Sequence, residues 1–279
     1  MHKVKEESKL LEYILKYIEP NRKKAKNLLS NKSILINNKN ISQYNHPVHI
    51  NDNIEIKKFT NTKINNSINI IYEDNNIIVV NKPSNLLTIA TAKEKEHTLY
   101  SMLSEYVKEK NKHNKIFVIH RLDKDTSGVI VFAKNEKTKN LYQDNWNNLV
   151  KYRGYTAIVE GIPNKKEDTI TLYLKENKNL KMYPSKDGDK AITKYKIKKS
   201  NKNYSLLDIE ILTGKKNQIR ATMEYINHPI VGDLKYSSKD KSLNRLGLHA
   251  HKLIMINPIT KKEMTFEARI PNRFIKIIK

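Results

Sequence analysis

The stretch Ile-His-Arg-Leu-Asp-Lys-Asp-Thr-Ser-Gly, residues 119–128, places a histidine, an arginine and two aspartates between two apolar, strand-like runs. A loop between two buried strands brings the Asp123 and Asp125 carboxylates to the edge of a sheet, where they can face a cleft. Carboxylates in such a position serve as nucleophiles or general bases. The structural alternative is a turn in which the aspartates and Ser127 bond backbone amides and Gly128 supplies an unusual backbone angle.

Other kinds of catalytic or binding site do not fit the sequence. A calcium loop that began at Asp123 would need a glutamate at its twelfth position, which is Lys134. An aspartyl-phosphate site would need Lys-Thr-Gly-Thr after the aspartate, whereas Asp123 precedes Lys-Asp-Thr-Ser-Gly. A phosphate-cradling loop needs two glycines before its lysine, and Gly214-Lys215 lacks the first. The absence of cysteine excludes thiolate catalysis, disulfides and zinc sites with cysteine ligands.

The charge balance points to a polyanionic partner. In 279 residues, 53 lysines and arginines face 29 acidic residues, which gives a formal net charge of +24. Nucleic acid is the first candidate for such a chain, with a membrane surface or a general compositional bias as alternatives. No apolar run approaches the roughly 18 residues that span a bilayer, and the first residues do not resemble a signal peptide. The sequence therefore predicts a cytoplasmic protein without membrane contact.

The chain is expected to form two domains. Apolar residues at helical spacing predict a helix over residues 10–18 and a second helix capped by Asn21. Short strands follow, with turns in which Asn and Asp stand where Gly is usual. We place a small α/β domain at residues 1–59, a polar linker at 60–67 and a larger domain at 68–279.

The larger domain is predicted to be an α+β domain with a mixed, mostly antiparallel sheet, because strand patterns outnumber helices and several pair as hairpins. Helices are expected near residues 99–107 and 135–149. The predicted strands are residues 70–72, 77–80, 117–119, 129–133, 155–160, 191–197, 206–212, 249–256 and 264–270. His249 and His251 alternate along one strand as a metal pair could, but no third ligand is evident, so we expect them to pack and no metal to bind.

The motif His120–Gly128 closely resembles the catalytic motif of the RluA-type pseudouridine synthases. Further segments are similar to other motifs of that family, in the family's order: Ile71–Pro83, Arg153–Gly161, Leu212–Arg220, then His-Pro-Ile-Val-Gly-Asp and Leu-His-Ala. The resemblance covers residues 70–271. Residues 1–59 more weakly resemble an S-four-type RNA-binding domain.

The resemblance implies three catalytic residues. Pseudouridine formation breaks the bond from uracil N1 to ribose C1′, turns the base and rejoins it through C5. Asp123 would either attack C1′ or remove the C2′ proton, and both routes need an ionised carboxylate. Arg220 would keep that buried carboxylate charged, and Tyr155 would lie over the uracil ring near C5.

Substrate contacts are expected around these residues. Arg121 is predicted to touch RNA phosphate or help lever the target base out of its stack, and His120 could assist. Lys82 is expected to have a structural or substrate-backbone role. Lys215 would bind substrate, although the family usually writes Arg-Thr-His where this chain has Lys215, Lys216 and Asn217, and lysine lacks the planar fork of arginine.

In the N-terminal domain, Arg22, Lys24 and Lys26 are expected to contact RNA, with a solvated helix face as the alternative. The sequence as a whole predicts a monomeric enzyme that isomerises uridine in structured RNA, without metal, nucleotide or redox cofactor. Ribosomal RNA is the favoured substrate and transfer RNA the alternative. A catalytically silent RNA-binding protein and a nucleoside hydrolase that releases free uracil are the competing functions.

Overall fold

The computed structural model describes residues 2–30, 33–56, 68–92, 94 and 96–279. The chain divides into two compact units, Met1–Ile64 and Asn65–Lys279. The predicted linker, residues 60–67, lies outside the described residues, and the predicted domain limits stay predictions. No helix in the described part of the chain is long and apolar enough to cross a membrane.

The first unit packs two helices against short strands. Its elements are β1 (His2–Lys3), β2 (Ser8–Lys9), α1 (Leu10–Tyr17), α2 (Arg22–Ser30), β3 (Ile34–Ile36), β4 (Lys39–Asn40), β5 (Pro47–Val48) and β6 (Asn53–Ile56). Within its described residues, four strands form a sheet in the order β1-β6-β3-β4, and β2 pairs with β5. Leu10 and Ile14 of α1 are fully buried with Ile34 and Ile54 of the sheet, so the amphipathic helix supplies the core of this unit.

Two asparagine predictions in this unit are confirmed. The Asn21 side-chain oxygen accepts hydrogen bonds from the backbone N–H groups of Lys23 and Lys24, each at 3.1 Å, which caps α2. Asn37 and Asn38, in the turn between β3 and β4, have φ of 48° and 66°. Asparagine tolerates this left-handed backbone because its short polar side chain bonds locally.

The second unit contains most of the regular structure. Its strands are β7 (Asn69–Glu73), β8 (Ile77–Lys82), β9 (Phe117–Val118), β10 (Ser127–Ala133), β11 (Val150–Glu160), β12 (Glu167–Glu176), β13 (Met182–Pro184), β14 (Asp189–Ser200), β15 (Tyr204–Ile211), β16 (Leu248–Ile256) and β17 (Glu263–Glu267). Its helices are α3 (Leu99–Lys110), α4 (Glu136–Asp144), α5 (Trp146–Leu149), α6 (Gln218–Tyr225) and α7 (Asn272–Ile277), with a 3₁₀ turn at Leu234–Tyr236.

The described strands of this unit form one eleven-stranded sheet in the order β13-β12-β14-β15-β11-β16-β10-β8-β7, with β17 beside β16 and β9 beside β10. Only β10 and β16 are paired in parallel; the other pairs described are antiparallel. The predicted α+β class with a mixed, mostly antiparallel sheet is therefore confirmed. Every residue of β10 is buried, so the loop between β9 and β10 ends at the interior of the sheet.

Two element predictions needed correction. The single helix predicted over residues 135–149 is divided at Asn145, whose backbone leaves the helical region, into α4 and α5. Strands β12 and β13 were not predicted. In β12, Ile170, Leu172 and Leu174 alternate with exposed Thr171 and Tyr173, which is a local strand pattern that the predictions did not use.

Candidate active site

A cleft of about 1830 Å³ opens in the second unit where the loop before β10, strand β11, the start of α6 and the segment before β16 meet. Basic side chains outnumber acidic ones along its walls. The basic residues are Arg121, Lys124, Arg153, Lys215, Lys216, Arg220, Lys235, Lys241 and Arg245, and the acidic residues are Asp123, Asp125, Glu176 and Asp233.

Arg220 lies between two carboxylates in this cleft. Its Nη1 atom is 3.6 Å from Oδ2 of Asp123, as the sequence predicted that these side chains would meet. Its Nε and Nη2 atoms donate to the two carboxylate oxygens of Asp233, at 2.7 and 2.8 Å. Arg220 is 8% exposed and Asp233 is 2% exposed. This bidentate pair fixes the guanidinium with its third nitrogen directed at Asp123.

Asp233 is a candidate site residue that the sequence did not predict. It ends the segment His-Pro-Ile-Val-Gly-Asp, so a signal is present in the sequence, but that segment indicates only an order of motifs along the chain. Asn217, at the position where the family writes histidine, also supports Arg220. Its side-chain oxygen accepts from Nη1 of Arg220 at 3.1 Å, and its amide donates to the Tyr236 hydroxyl at 3.1 Å.

Burial and the charges around Asp123 shift the pKa of its carboxyl in opposite directions. Burial raises the pKa of the Asp123 carboxyl above its ordinary value; Arg220 pulls it down, while Asp125 and Asp233 add to the rise. Burial also opposes the charge on Arg220, but the hydrogen-bonded pair with Asp233, together with Asp123, raises the pKa of the guanidinium above its ordinary value. Arg220 therefore stays cationic, and Asp123 has one fixed cation beside it.

Tyr155 lines the same cleft from β11. The pairing of β11 with β16 shifts register between Gly154 and Tyr155, a bulge of the kind that redirects side chains beside functional sites. Burial raises the pKa of Tyr155 to about 12, with Arg153 opposing and Asp123 adding to the rise. The phenol is consequently protonated at neutral pH and presents a neutral ring to the cleft.

Lys82 contacts the loop that carries Asp123 through buried hydrogen bonds. It is fully buried, and its ammonium donates to the backbone carbonyls of Pro83, Leu86 and Lys124 at 2.8–3.0 Å. Burial lowers the pKa of Lys82 to about 7. These three hydrogen bonds favour the structural role over substrate binding, the two roles that were expected for Lys82, and its part in binding stays a prediction.

The other end of the loop is fixed by close packing of the backbone. Gly128 has φ of 117°, and a Cβ atom there would lie 2.1 Å from the carbonyl oxygen of Ala250. Ser127 beside it bonds His249 Nδ1 at 2.7 Å and accepts from Arg245 at 2.7 Å. Asp123 therefore lines the cleft, as the first interpretation of the motif predicted, and Gly128 has the unusual backbone angle of the alternative, whereas the Ser127 hydroxyl bonds side chains and not backbone amides among the described residues.

The remaining predicted residues divide between the two units. Arg121 is exposed and lines the cleft. Lys215 also lines the cleft, and its Nζ atom lies 3.3 Å from Oδ2 of Asp189. His120 lines the cleft as well, but its Nε2 accepts from the Val131 N–H at 3.1 Å. Burial, and then Arg153, lower the pKa of His120 to about 4, so it is a neutral ring that ties the loop to β10.

The predicted RNA contacts Arg22, Lys24 and Lys26 belong to the first unit. All three are exposed on α2, and the Lys26 ammonium lies 5.9 Å from the centre of the Tyr44 ring. A basic helix face beside an aromatic ring is a surface that can meet both phosphates and bases. Their contact with RNA stays a prediction.

Known proteins resemble this chain over a segment that includes much of the cleft. The sequence model described as RNA pseudouridylate synthase matches residues 76–225. An uncharacterised RNA pseudouridine synthase of Bacillus subtilis, YhcT, is 33% identical over 208 residues, which are 73% of this chain and 69% of that protein. The ribosomal large subunit pseudouridine synthase D of Borreliella burgdorferi is 35% identical over 217 residues, 75% of this chain and 67% of that protein.

A solved structure shows the same fold. The human RNA pseudouridylate synthase domain containing 4 superposes with a TM-score of 0.62 at 24% identity, covering 74% of this chain and 90% of that one. The matched segment, residues 76–225, includes Asp123, Tyr155 and Arg220. The resemblance found in the motifs is thereby confirmed: the chain belongs to the RNA pseudouridylate synthase family.

Proposed function

We propose that this pseudouridine synthase acts on structured ribosomal RNA and that Asp123 is its catalytic carboxylate. The name of the Borreliella burgdorferi relative, a ribosomal large subunit pseudouridine synthase, supports ribosomal RNA as the substrate. The net charge of +24 and the excess of basic side chains in the cleft suit a phosphate backbone.

Asp123 works beside the ribose of the target nucleotide. Its carboxylate either displaces uracil by attacking C1′, which forms an ester, or takes the C2′ proton as the N1–C1′ bond breaks, which leaves a glycal. When C5 then bonds to C1′, the ester bond to Asp123 breaks in the first route, or the proton returns from Asp123 to C2′ in the second. C5 finally loses its proton and N1 gains one. Atoms balance without an oxidant or hydrolysis. Arg220 holds Asp123 ionised through the 3.6 Å contact, and Asp233 holds Arg220 in place.

Tyr155 acts as a neutral surface for the detached base. Its raised pKa of about 12 disfavours a tyrosinate base in the free enzyme, so its contribution is to cover one face of uracil and exclude water while the ring turns. Arg121 and Lys215 contact RNA phosphates in this proposal, which their position in the lining of the same cleft supports.

The single observation that carries this proposal is the Asp123–Arg220–Asp233 arrangement within a basic cleft. The test is to incubate unmodified large-subunit ribosomal RNA with the protein and map pseudouridine chemically. Wild type should modify defined uridines, Asp123→Asn should modify none, and the control Asp144→Asn, an exposed carboxylate on α4, should match wild type.

Two outcomes would contradict the proposal. Modification of transfer RNA with none in ribosomal RNA would move the substrate to the alternative class. Release of free uracil, detected by chromatography, would indicate a hydrolase and overturn the isomerisation mechanism at this site.

A further inference from the structure

Two leucines stand out on the rim of the cleft. Leu234 is 65% exposed and Leu180 is 60% exposed, the highest values for large apolar side chains among the described residues. Both line the cleft. Exposed apolar side chains that lie together at a functional site mark a contact with a ligand or partner, whereas single scattered ones need no explanation.

Leu180 is held in a costly backbone conformation. It lies in the turn between β12 and β13 with φ of 57°, where a bulky residue is unusual and glycine or asparagine is expected. The turn is well fixed, because the Asn177 side chain accepts from the N–H groups of Asn179 and Lys181 at 2.9 and 3.0 Å. A leucine kept at such a position, pointing to solvent, suggests a function for its side chain.

Leu234 is built onto the proposed catalytic ion pair. It directly follows Asp233, the partner of Arg220, and begins the 3₁₀ turn. The next residue, Lys235, donates to the carbonyl of Leu180 at 2.8 Å. The two leucines are therefore connected to Asp123 by a series of contacts. Lys235 bonds the Leu180 carbonyl, Asp233 precedes Leu234 and pairs with Arg220, and Arg220 lies beside Asp123.

The buried Tyr236 hydroxyl ties the rim to α6. It accepts from the Met182 N–H at 2.9 Å, just after the leucine turn, and from the Asn217 amide at 3.1 Å. Asn217 in turn contacts Arg220. Turn, 3₁₀ segment and α6 thus share one anchor, which gives the leucines a defined position relative to the cleft.

We infer that Leu180 and Leu234 form a wedge that enters the base stack of the RNA beside the target uridine and fills the space which that uridine leaves. A nucleotide inside a helix must be extruded before its C1′ can be reached, and apolar side chains inserted between bases are a known means of stabilising the unstacked state. The inference rests on the proposed action on structured RNA.

Charge favours RNA over an apolar protein partner. Lys178 and Lys235 are exposed beside the two leucines, and Lys216 lines the same cleft. Basic side chains around a small apolar tip fit phosphates around a base stack. The continuity of this rim with the cleft that would hold the target nucleotide supports the same occupant.

The test compares one target uridine in two RNAs: a stem–loop that contains a uridine mapped in ribosomal RNA, and a strand altered so that the same uridine is unpaired. The double variant Leu180→Gly with Leu234→Ser should lower the ratio of kcat/KM between stem–loop and unpaired strand by about 10- to 100-fold. Ile259→Ser is the control, because Ile259 is 50% exposed and does not line the cleft; it should leave the ratio unchanged.

A second measurement reads unstacking directly. With 2-aminopurine beside the target uridine and Asp123→Asn as the background, binding of the stem–loop should raise fluorescence, and the added leucine substitutions should remove the rise. An unchanged kcat/KM ratio in the double variant would overturn the wedge, as would a change in its oligomeric state in light scattering, which would assign the leucines to contacts between copies. A wild type inactive on both RNAs would instead overturn the proposed function.

Discussion

Asp123 must be ionised to act, and its surroundings raise the pKa of its carboxyl above the ordinary value. Burial, Asp125 and Asp233 raise its pKa, and Arg220 alone among the named groups opposes them. A charge held in such a position lowers the stability of the fold in exchange for reactivity. Because a third of the Asp123 side chain is exposed, substrate that closes the cleft would desolvate it further.

The first prediction concerns Asp123→Asn. Activity should fall by roughly 10³-fold or more, because an amide can neither attack C1′ nor accept the C2′ proton, and the other carboxylate beside Arg220, Asp233, is held in a bidentate pair. The folded-state pKa of Asp123 is raised, so ionisation destabilises the native state as pH rises through that pKa. The variant should therefore melt at the same temperature as wild type or higher at pH 7, and the difference should shrink at acid pH. A lower melting temperature at pH 7 would contradict this account.

The second prediction concerns the pH profile. The acid limb of kcat/KM should lie above the ordinary aspartate pKa of about 3.9, because free Asp123 must lose its proton. Asp125→Asn removes a negative charge that raises the pKa of Asp123, so the limb should move to lower pH. Glu267→Gln, a change on β17 outside the cleft, is the control and should leave the limb in place.

At the scale of elements, the site depends on how the loop between β9 and β10 is supported. Lys82 at the end of β8 holds this loop and the residues after β8 together through three carbonyls. Thr88 adds a hydrogen bond to the carbonyl of Leu122 at 2.7 Å, and Ser84 adds one to the carbonyl of Asp125 at 2.7 Å. The position of Asp123 is therefore fixed by hydrogen bonds from the side chains of Lys82, Thr88 and Ser84 to backbone carbonyls of its loop.

The third prediction is that Lys82→Met destabilises the fold by roughly 2–4 kcal/mol, because three buried carbonyls lose a charged donor. Wild-type stability should also rise between about pH 7, the lowered pKa of Lys82, and about pH 10.4, where the unfolded chain binds more protons; the variant should lack this rise. Lys124→Ala is the control, since only its backbone carbonyl meets Lys82 and its side chain is exposed. Thermal melts across pH that show no difference between Lys82→Met and wild type would refute the role.

The sequence indicated elements and motifs better than it indicated partners. Periodicity located α1, β10 and most other strands, because alternation and helical spacing are local signals. The ordered motifs brought Asp123 and Arg220 together, as found. The pairing of Arg220 with Asp233 and the burial of Lys82 were not predicted, because contacts across the fold leave no local pattern and lysine is ordinarily exposed.

At the scale of the whole molecule, two groups of basic side chains are the proposed phosphate contacts, one in the cleft of the second unit and one on the exposed face of α2 in the first. Nonspecific phosphate contacts add affinity that depends on salt, whereas the chemistry at Asp123 does not require them. We therefore expect substitutions on α2 to weaken RNA binding at every sequence and to leave the chemical step largely intact.

The fourth prediction tests whether α2 contributes to RNA binding and not to the chemical step at Asp123. Replacing Arg22, Lys24 and Lys26 by serine should lower the slope of log K against log salt by about 1 for each phosphate that the variant no longer neutralises. The control replaces three lysines already bonded to acidic neighbours outside the cleft, Lys165, Lys196 and Lys198, which changes net charge equally. Single-turnover rates at saturating RNA should stay near wild type in both triple variants. Equal salt slopes for the two variants would show that α2 acts only through net charge and would remove it from the proposed RNA-binding surface.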